Sequence, residues 1–274
     1  MNRIRHAVVL TFAVGALLLA PMARAAELQD VMENARQVLK EETSETERID
    51  EAAASLREAI KENPDSTAQP SARLLMARLS AAAGQFHQAV EILDLLRERK
   101  PEGISQVDVL AELVPALNGK GDYLRAVELT GLLLEEEGFK GDPRRPEIVY
   151  DTAWHQETVL RNYEEAVKLY RRLLEEHPES PLAPKGAFRA GYLLEHRLKN
   201  LDAAVKTYLR ASTSFPEFEG EPALNPGAHS GWRAGWRALN LAGVLRNDPR
   251  TRRGLADYGL QETICNQLVD AYPD

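Results

Sequence analysis

Gly84-Gln85-Phe86-His87-Gln88-Ala89-Val90-Glu91-Ile92-Leu93-Asp94-Leu95-Leu96-Arg97-Glu98-Arg99-Lys100-Pro101 decides the reading of this chain, because its pattern returns. Measured from Ala89, Phe86 lies three residues before, Leu93 four after, Leu96 seven after and Pro101 twelve after. The same offsets around Ala52 select Ile49, Leu56, Ala59 and Pro64, and around Ala126 they select Tyr123, Thr130, Leu133 and Gly138. Around Ala166 they give Tyr163, Tyr170, Leu173 and Pro178; around Ala204, Leu201, Tyr208, Ala211 and Pro216. Successive alanines stand 37, 37, 40 and 38 residues apart. A period of this length marks stacked supersecondary units.

Offsets of three, four and seven residues place side chains on one face of a helix. The aromatic or branched residue opens that face, the alanine marks where two helices approach most closely, and the proline stops the helix. A turn precedes each such helix (Gly84; Gly119 to Gly121; Arg161-Asn162; Lys199-Asn200), and another apolar helical segment precedes the turn. The unit is therefore a helical hairpin. Ala77, Gly84, Phe86, Ala89, Leu93, Leu96 and Pro101 follow in order the pattern of the tetratricopeptide repeat, which the chain resembles from about residue 33 to residue 216. That resemblance implies an all-α fold: a right-handed superhelical solenoid of about five helical hairpins, closed by a degenerate C-terminal capping repeat. Pro115 falls inside the first helix of the third repeat, where the lost hydrogen bond predicts a kink. Residues 135–146, with Gly138, Gly141, Pro143 and Pro146, read as a loop.

The chain begins with Arg3 and Arg5, an apolar run from Ala7 to Ala20 broken only by Thr11, and Ala23-Arg24-Ala25. This is the pattern of a secretory signal peptide over residues 1–25, with the repeats over 26–216 and a linker and capping repeat over 217–274. The apolar run is too short to span about 30 Å of hydrocarbon, so no stable membrane insertion is expected after cleavage. The expected location is periplasmic or secreted. Without the first 25 residues, 31 basic residues face 42 acidic ones, a net charge of −11. That balance disfavours nucleic acid and anionic lipid, which are bound through an excess of Lys and Arg. Cys265 is the only cysteine, so no internal disulfide forms, and it reads as a small buried residue of the last helix.

No catalytic constellation emerges. No two of His87, His155, His177, His196 and His229 have the spacing of a helical metal pair, and there is no nucleophile elbow, phosphate loop or dinucleotide fingerprint. Paired acids such as Glu164-Glu165 and Glu175-Glu176 read as solvated charge. No enzyme, metal or cofactor is expected.

The run Glu175 to Pro184, followed by Ala187, Gly191 and Tyr192, is similar to repeats of bacterial cell-envelope proteins, in particular the periplasmic partner of the Tol-Pal system and the tetratricopeptide lipoprotein of outer-membrane β-barrel assembly. It implies protein or peptide segments of an envelope complex as partners. In the family the first helix of each hairpin lines the binding groove. The matching positions here are Gln37, Glu41, Leu74, Arg78, Ala111, Pro115, Asp151, His155, Arg189 and His196. None is Lys or Asn, the types with which chaperone-binding members hold a peptide C-terminus, so that mode is not expected. Arg78, Asp151, His155 and Arg189 are the candidate groove contacts.

A second candidate lies in the tandem Gly231-Trp-Arg-Ala-Gly-Trp-Arg-Ala238. Trp232 and Trp236 share a helix face and are expected to plug the end of the core, while Arg233 and Arg237 form a separate stripe. With Arg246, Arg250, Arg252 and Arg253 against the single acid Asp248, this is a local basic patch on an acidic protein. Trp232, Arg233, Arg237, Arg250, Arg252 and Arg253 are its candidate partner contacts. The expected function is an exported scaffold for protein–protein interaction in an envelope assembly or transport complex. The alternative is a module that binds an envelope polysaccharide or the cell wall through aromatic and arginine surfaces.

Overall fold

A computed structural model describes residues 26–41, 45–217, 231–247 and 257–272. The signal-peptide region lies outside these residues. All regular structure among them is helical: α1 (26–40), α2 (Thr46–Glu62), α3 (Gln69–Ala82), α4 (Phe86–Arg99), α5 (Gln106–Lys120) and α6 (Tyr123–Glu135). Then follow α7 (Arg145–Thr158), α8 (Tyr163–Glu176), α9 (Ala183–His196), α10 (Leu201–Ser214), α11 (Gly231–Asn247) and α12 (Asp257–Ala271). The chain divides into two compact units, one ending at Phe139 and the other beginning at Lys140. In each unit consecutive helices pack as antiparallel hairpins, and each hairpin packs on the next, which is the arrangement of a tetratricopeptide solenoid.

The repeated residues explain why the helices stop where they do. Pro64, Pro101, Pro178 and Pro216 each stand two residues beyond the end of α2, α4, α8 and α10. The proline ring pushes the preceding residue out of the right-handed helical basin. Asn63, His177 and Phe215 accordingly sit at ψ 56, 57 and 58°, and Lys100 at φ 45°. The hairpin turns need a left-handed residue. Glycine fills it at Gly84 and Gly121, whereas Arg161 (φ 56°) and Lys199 (φ 54°) adopt it with a side chain in the two hairpins that follow. There the next residue, Asn162 or Asn200, caps the second helix through its side chain.

Ala52, Ala89, Ala126, Ala166 and Ala204 are all buried, none more than 4% exposed, and the residues four and seven positions after each are buried as well, none more than 7% exposed. The alanines sit in the contact between helices, as their spacing predicts. Ala166→Leu is therefore expected to overpack α8 and cost about 1–3 kcal/mol in equilibrium unfolding. Lys168→Leu, two positions round the same helix and exposed, should change stability by no more than about 0.5 kcal/mol.

Several expectations are corrected. The 135–146 segment is not a plain loop: Glu137–Phe139 is a turn of 3-10 helix that buries Phe139 completely at the end of the first unit. Pro115, by contrast, lies inside a single helix as its sequence position implies: it is exposed on α5, which continues to Lys120. Cys265 is exposed, because the neighbouring Ile264 takes the buried position of α12. Trp236 is 55% exposed and does not plug the core. The small residues of α11, Ala234, Gly235 and Ala238, mark its close approach instead: a Cβ on Gly235 would lie 2.4 Å from Leu268 and 2.6 Å from Ser212. Glu176 is not free solvated charge. It accepts from the fully buried Arg145 (2.8 and 3.0 Å) and from Arg172 (2.7 Å). Burial alone would raise its carboxyl, but those two guanidiniums hold it below the ordinary carboxylate range.

A candidate arginine pocket in the second unit

The second unit repeats one polar motif. Glu157 on α7 is almost fully buried and accepts from the Tyr170 hydroxyl on α8 (3.1 Å) and from Arg189 on α9, through Nε at 3.1 Å and through Nη2. Thirty-eight residues on, Glu195 of α9 accepts from the Tyr208 hydroxyl of α10 (3.1 Å) and from Arg237 of α11, through Nε at 2.6 Å and through Nη2. The rings repeat as well: Tyr150 meets Tyr170 at 5.7 Å, and Phe188 meets Tyr208 at 5.3 Å, both tilted by 59°. Each glutamate thus ties its own hairpin to the next.

The protonation states follow from burial. Burial first, and the adjacent carboxylate second, push the phenols of Tyr170 and Tyr208 far above their ordinary value, so both remain donors. Burial disfavours the charge on Arg189, but the hydrogen bond and charge of Glu157 outweigh it, and the guanidinium stays ionised. Arg189 lies 4.8 Å above the Trp154 ring and 5.8 Å from that of Tyr192, a stacked position that lysine would not reproduce.

Around this pair opens a cavity of about 630 Å³ lined by Glu157, Thr158, Arg161, Tyr163, Arg189, Tyr192 and Arg197. Arg197 rests 5.5 Å over Tyr163. Arg161 projects from its left-handed turn position, a conformation that costs a residue with a side chain about 1–2 kcal/mol. Neither Arg161 nor Arg197 has a carboxylate within ion-pair distance among the described residues. Three guanidiniums therefore face one carboxylate, which is already engaged by Arg189 and Tyr170. Such a wall receives carboxylate groups, two N–H donors at a time, while its rings offer flat apolar contact.

The predicted contacts meet different fates. Arg189 lies at the centre of this pocket. Asp151 and His155 lie half-buried on α7, and neither lines it. Burial lowers the His155 pKa. Burial, with Glu147 nearby, raises that of Asp151. Arg78, in the first unit, is half-exposed and engaged with Glu112 (2.9 Å), whereas Leu74 and Ala111 are buried. Arg237 is held by Glu195 and by Nε2 of His196 at 2.9 Å, whereas Arg233 is exposed. Arg250, Arg252, Arg253 and the side chain of Trp232 lie outside the described residues. Glu157, Arg161 and Arg197 were not singled out by the sequence. The recurrence of Glu157 and Glu195 in step with Tyr170 and Tyr208 is the signal that finds the first.

Because the fold holds the Asp151 carboxyl above its ordinary range, it favours the protonated form. That contribution is full below the unfolded pKa and is lost as pH rises through the folded one. Asp151→Asn removes the cost, so the variant is expected to melt above the parent chain at neutral pH. The gain should vanish near about pH 3, where the parent's carboxyl is protonated folded and unfolded alike. A pH series of melting curves checks both.

Residues 45–113 and 159–217 match models of the tetratricopeptide repeat. The fold is similar to the nearly identical TPR-like repeats of a Podosopora anserina protein, at 16% identity and a TM-score of 0.53, over 69% of this chain and 95% of that one. A tetratricopeptide repeat protein from Parabacteroides merdae aligns over 90% of this chain and 99% of its own, at 14% identity and a TM-score of 0.48. No curated protein matches the chain.

Proposed function

We propose that this chain, which carries tetratricopeptide repeats, is an exported scaffold that holds acidic segments of partner proteins in a cell-envelope assembly or transport complex. Arrays of this kind offer an extended surface for protein–protein contact rather than a reaction centre. The observation that carries the reading is the pocket of Arg161, Arg189 and Arg197 over the rings of Tyr163 and Tyr192, on a chain whose overall charge is negative. Carboxylate side chains of a partner complete the pairing that the chain leaves open at Arg161 and Arg197. Export rests on the signal-peptide pattern of residues 1–25, and a periplasmic site of action follows from it. Among the described residues no helix is long and apolar enough to cross a membrane.

A second reading, binding of an envelope polysaccharide or the cell wall, draws on one observation: Trp236 is exposed on α11 beside the exposed Arg233. Capture on the immobilised chain from envelope extract, before and after protease treatment of the extract, separates the two. The scaffold reading expects the captured material to be protein, to vanish after protease, and to fall when Arg161 and Arg197 are changed together to Ser. Protease-resistant capture that depends on Trp236 would replace it with the polymer reading.

A further inference from the structure

The first unit carries a groove that the repeat pattern did not single out. Helices α2, α3 and α4 enclose a cavity of about 210 Å³. Its floor is aliphatic: Ile60 from α2, Met76 from α3, and Ile92, Leu95 and Leu96 from α4. Leu95 is 44% exposed, although a leucine at a helix contact would ordinarily be covered. Three arginines stand at the rim, Arg57, Arg73 and Arg99, one from each helix.

Four arginines of the unit, these three and the half-buried Arg97 of α4, have no carboxylate within ion-pair distance among the described residues, whereas the others are paired. Arg48, Arg78 and Arg125 are each matched by a carboxylate, Glu41, Glu112 and Asp94 respectively. Of the unmatched arginines, Arg73 donates instead to the neutral Gln69, at 3.2 Å. Three like charges around an apolar cavity repel one another and any basic partner, and attract a segment that brings carboxylates. The aliphatic floor demands an apolar anchor at the centre of that segment, since desolvated contacts at the middle of an interface supply most of its energy. The floor contains no aromatic ring, which argues against single-stranded nucleic acid, held largely by base stacking.

We infer that this groove is a second docking surface, for an acidic amphipathic helix of a partner protein that seats one or two large aliphatic side chains on Met76, Ile92 and Leu95 and sets its carboxylates against Arg57, Arg73 and Arg99. The surface is independent of the pocket in the second unit, so the array engages partners on both units. Its binding mode is helix-in-groove, with anchors at i and i+4 of the guest helix.

The test uses the full chain and a fluorescein-labelled helical peptide of Glu and Ala bearing Leu at i and i+4, followed by fluorescence anisotropy. Saturable binding is expected. It should weaken at least about tenfold in Arg57→Glu/Arg99→Glu, two exposed positions whose change leaves helicity intact by circular dichroism, and weaken similarly when the peptide's leucines become serine. Arg161→Ser/Arg197→Ser should leave this binding unchanged, which separates the groove from the pocket. No saturable binding, equal binding by the double variant, or equal binding of the leucine-free peptide overturns the inference. So does either of two other outcomes: phosphatidylglycerol vesicles that bind through Arg57 and Arg99 while the peptide does not, or a dimer that Arg57→Glu/Arg99→Glu dissociates.

Discussion

Glu157→Ala is expected to destabilise the second unit by about 3–5 kcal/mol, the cost of breaking a buried ion pair by removing one partner. The Glu157 side chain is 8% exposed and that of Arg189 18%, so the pair is largely withdrawn from water. Loss of the carboxylate strands the Arg189 guanidinium between Trp154 and Tyr192 and takes the acceptor from the Tyr170 hydroxyl. The glutamate therefore serves the fold and the pocket together, since it fixes the arginine that a ligand would meet. Glu157→Leu with Arg189→Leu removes both charges and is expected to cost much less than Glu157→Ala alone. Denaturant unfolding of the single and double variants reads the difference. A loss of less than about 1 kcal/mol for Glu157→Ala, as for an exposed pair, would contradict the buried tie between α7 and α9.

Gly191→Ala is the second large effect. A Cβ at this position would lie 2.6 Å from two carbons of the Tyr208 ring and 3.0 Å from a third. The ring is fully buried, tilted against Phe188 and hydrogen-bonded to Glu195, so it has nowhere to retreat. One methyl group is expected to cost about 1–3 kcal/mol here. Gly131, in the middle of α6, has nothing within 4 Å of the same added atom. Gly131→Ala should stabilise by about 0.5–1 kcal/mol, because alanine loses less backbone freedom on entering a helix. Effects of the same sign at the two glycines would refute the close approach of α9 to α10.

The fold was legible because its strongest constraints are local. An alanine where helices touch, apolar residues four and seven positions on, and a proline just past the helix end are fixed by the geometry of one hairpin and return with each copy. The pocket was legible only in part. Arg189 is found from the family's groove positions, but its partner Glu157 lies 32 residues earlier, and Arg237 reaches back 42 residues to Glu195. Pairings over that range depend on how hairpins stack, which no single hairpin encodes. Trp236 was misplaced for a related reason: a large ring suggests a core, yet α11 makes its contacts with Ala234, Gly235 and Ala238, and a ring between those positions would hold the helices apart. Cys265 shows how narrow the margin is, since one step along α12 separates it from the buried Ile264.

The proposal that the second unit grips protein segments is tested most directly by a photo-crosslinking aromatic amino acid in place of Tyr192, in the full chain within its native cells, with Lys168 as the control position. Tyr192 lines the arginine pocket, while Lys168 lies exposed on α8 and does not line it. Irradiation should give a discrete adduct at position 192 and none at 168, with the trapped material digested by protease and lost in Arg161→Ser/Arg197→Ser. Equal labelling at the two positions, or an adduct at 192 that resists protease, would contradict a pocket built for protein.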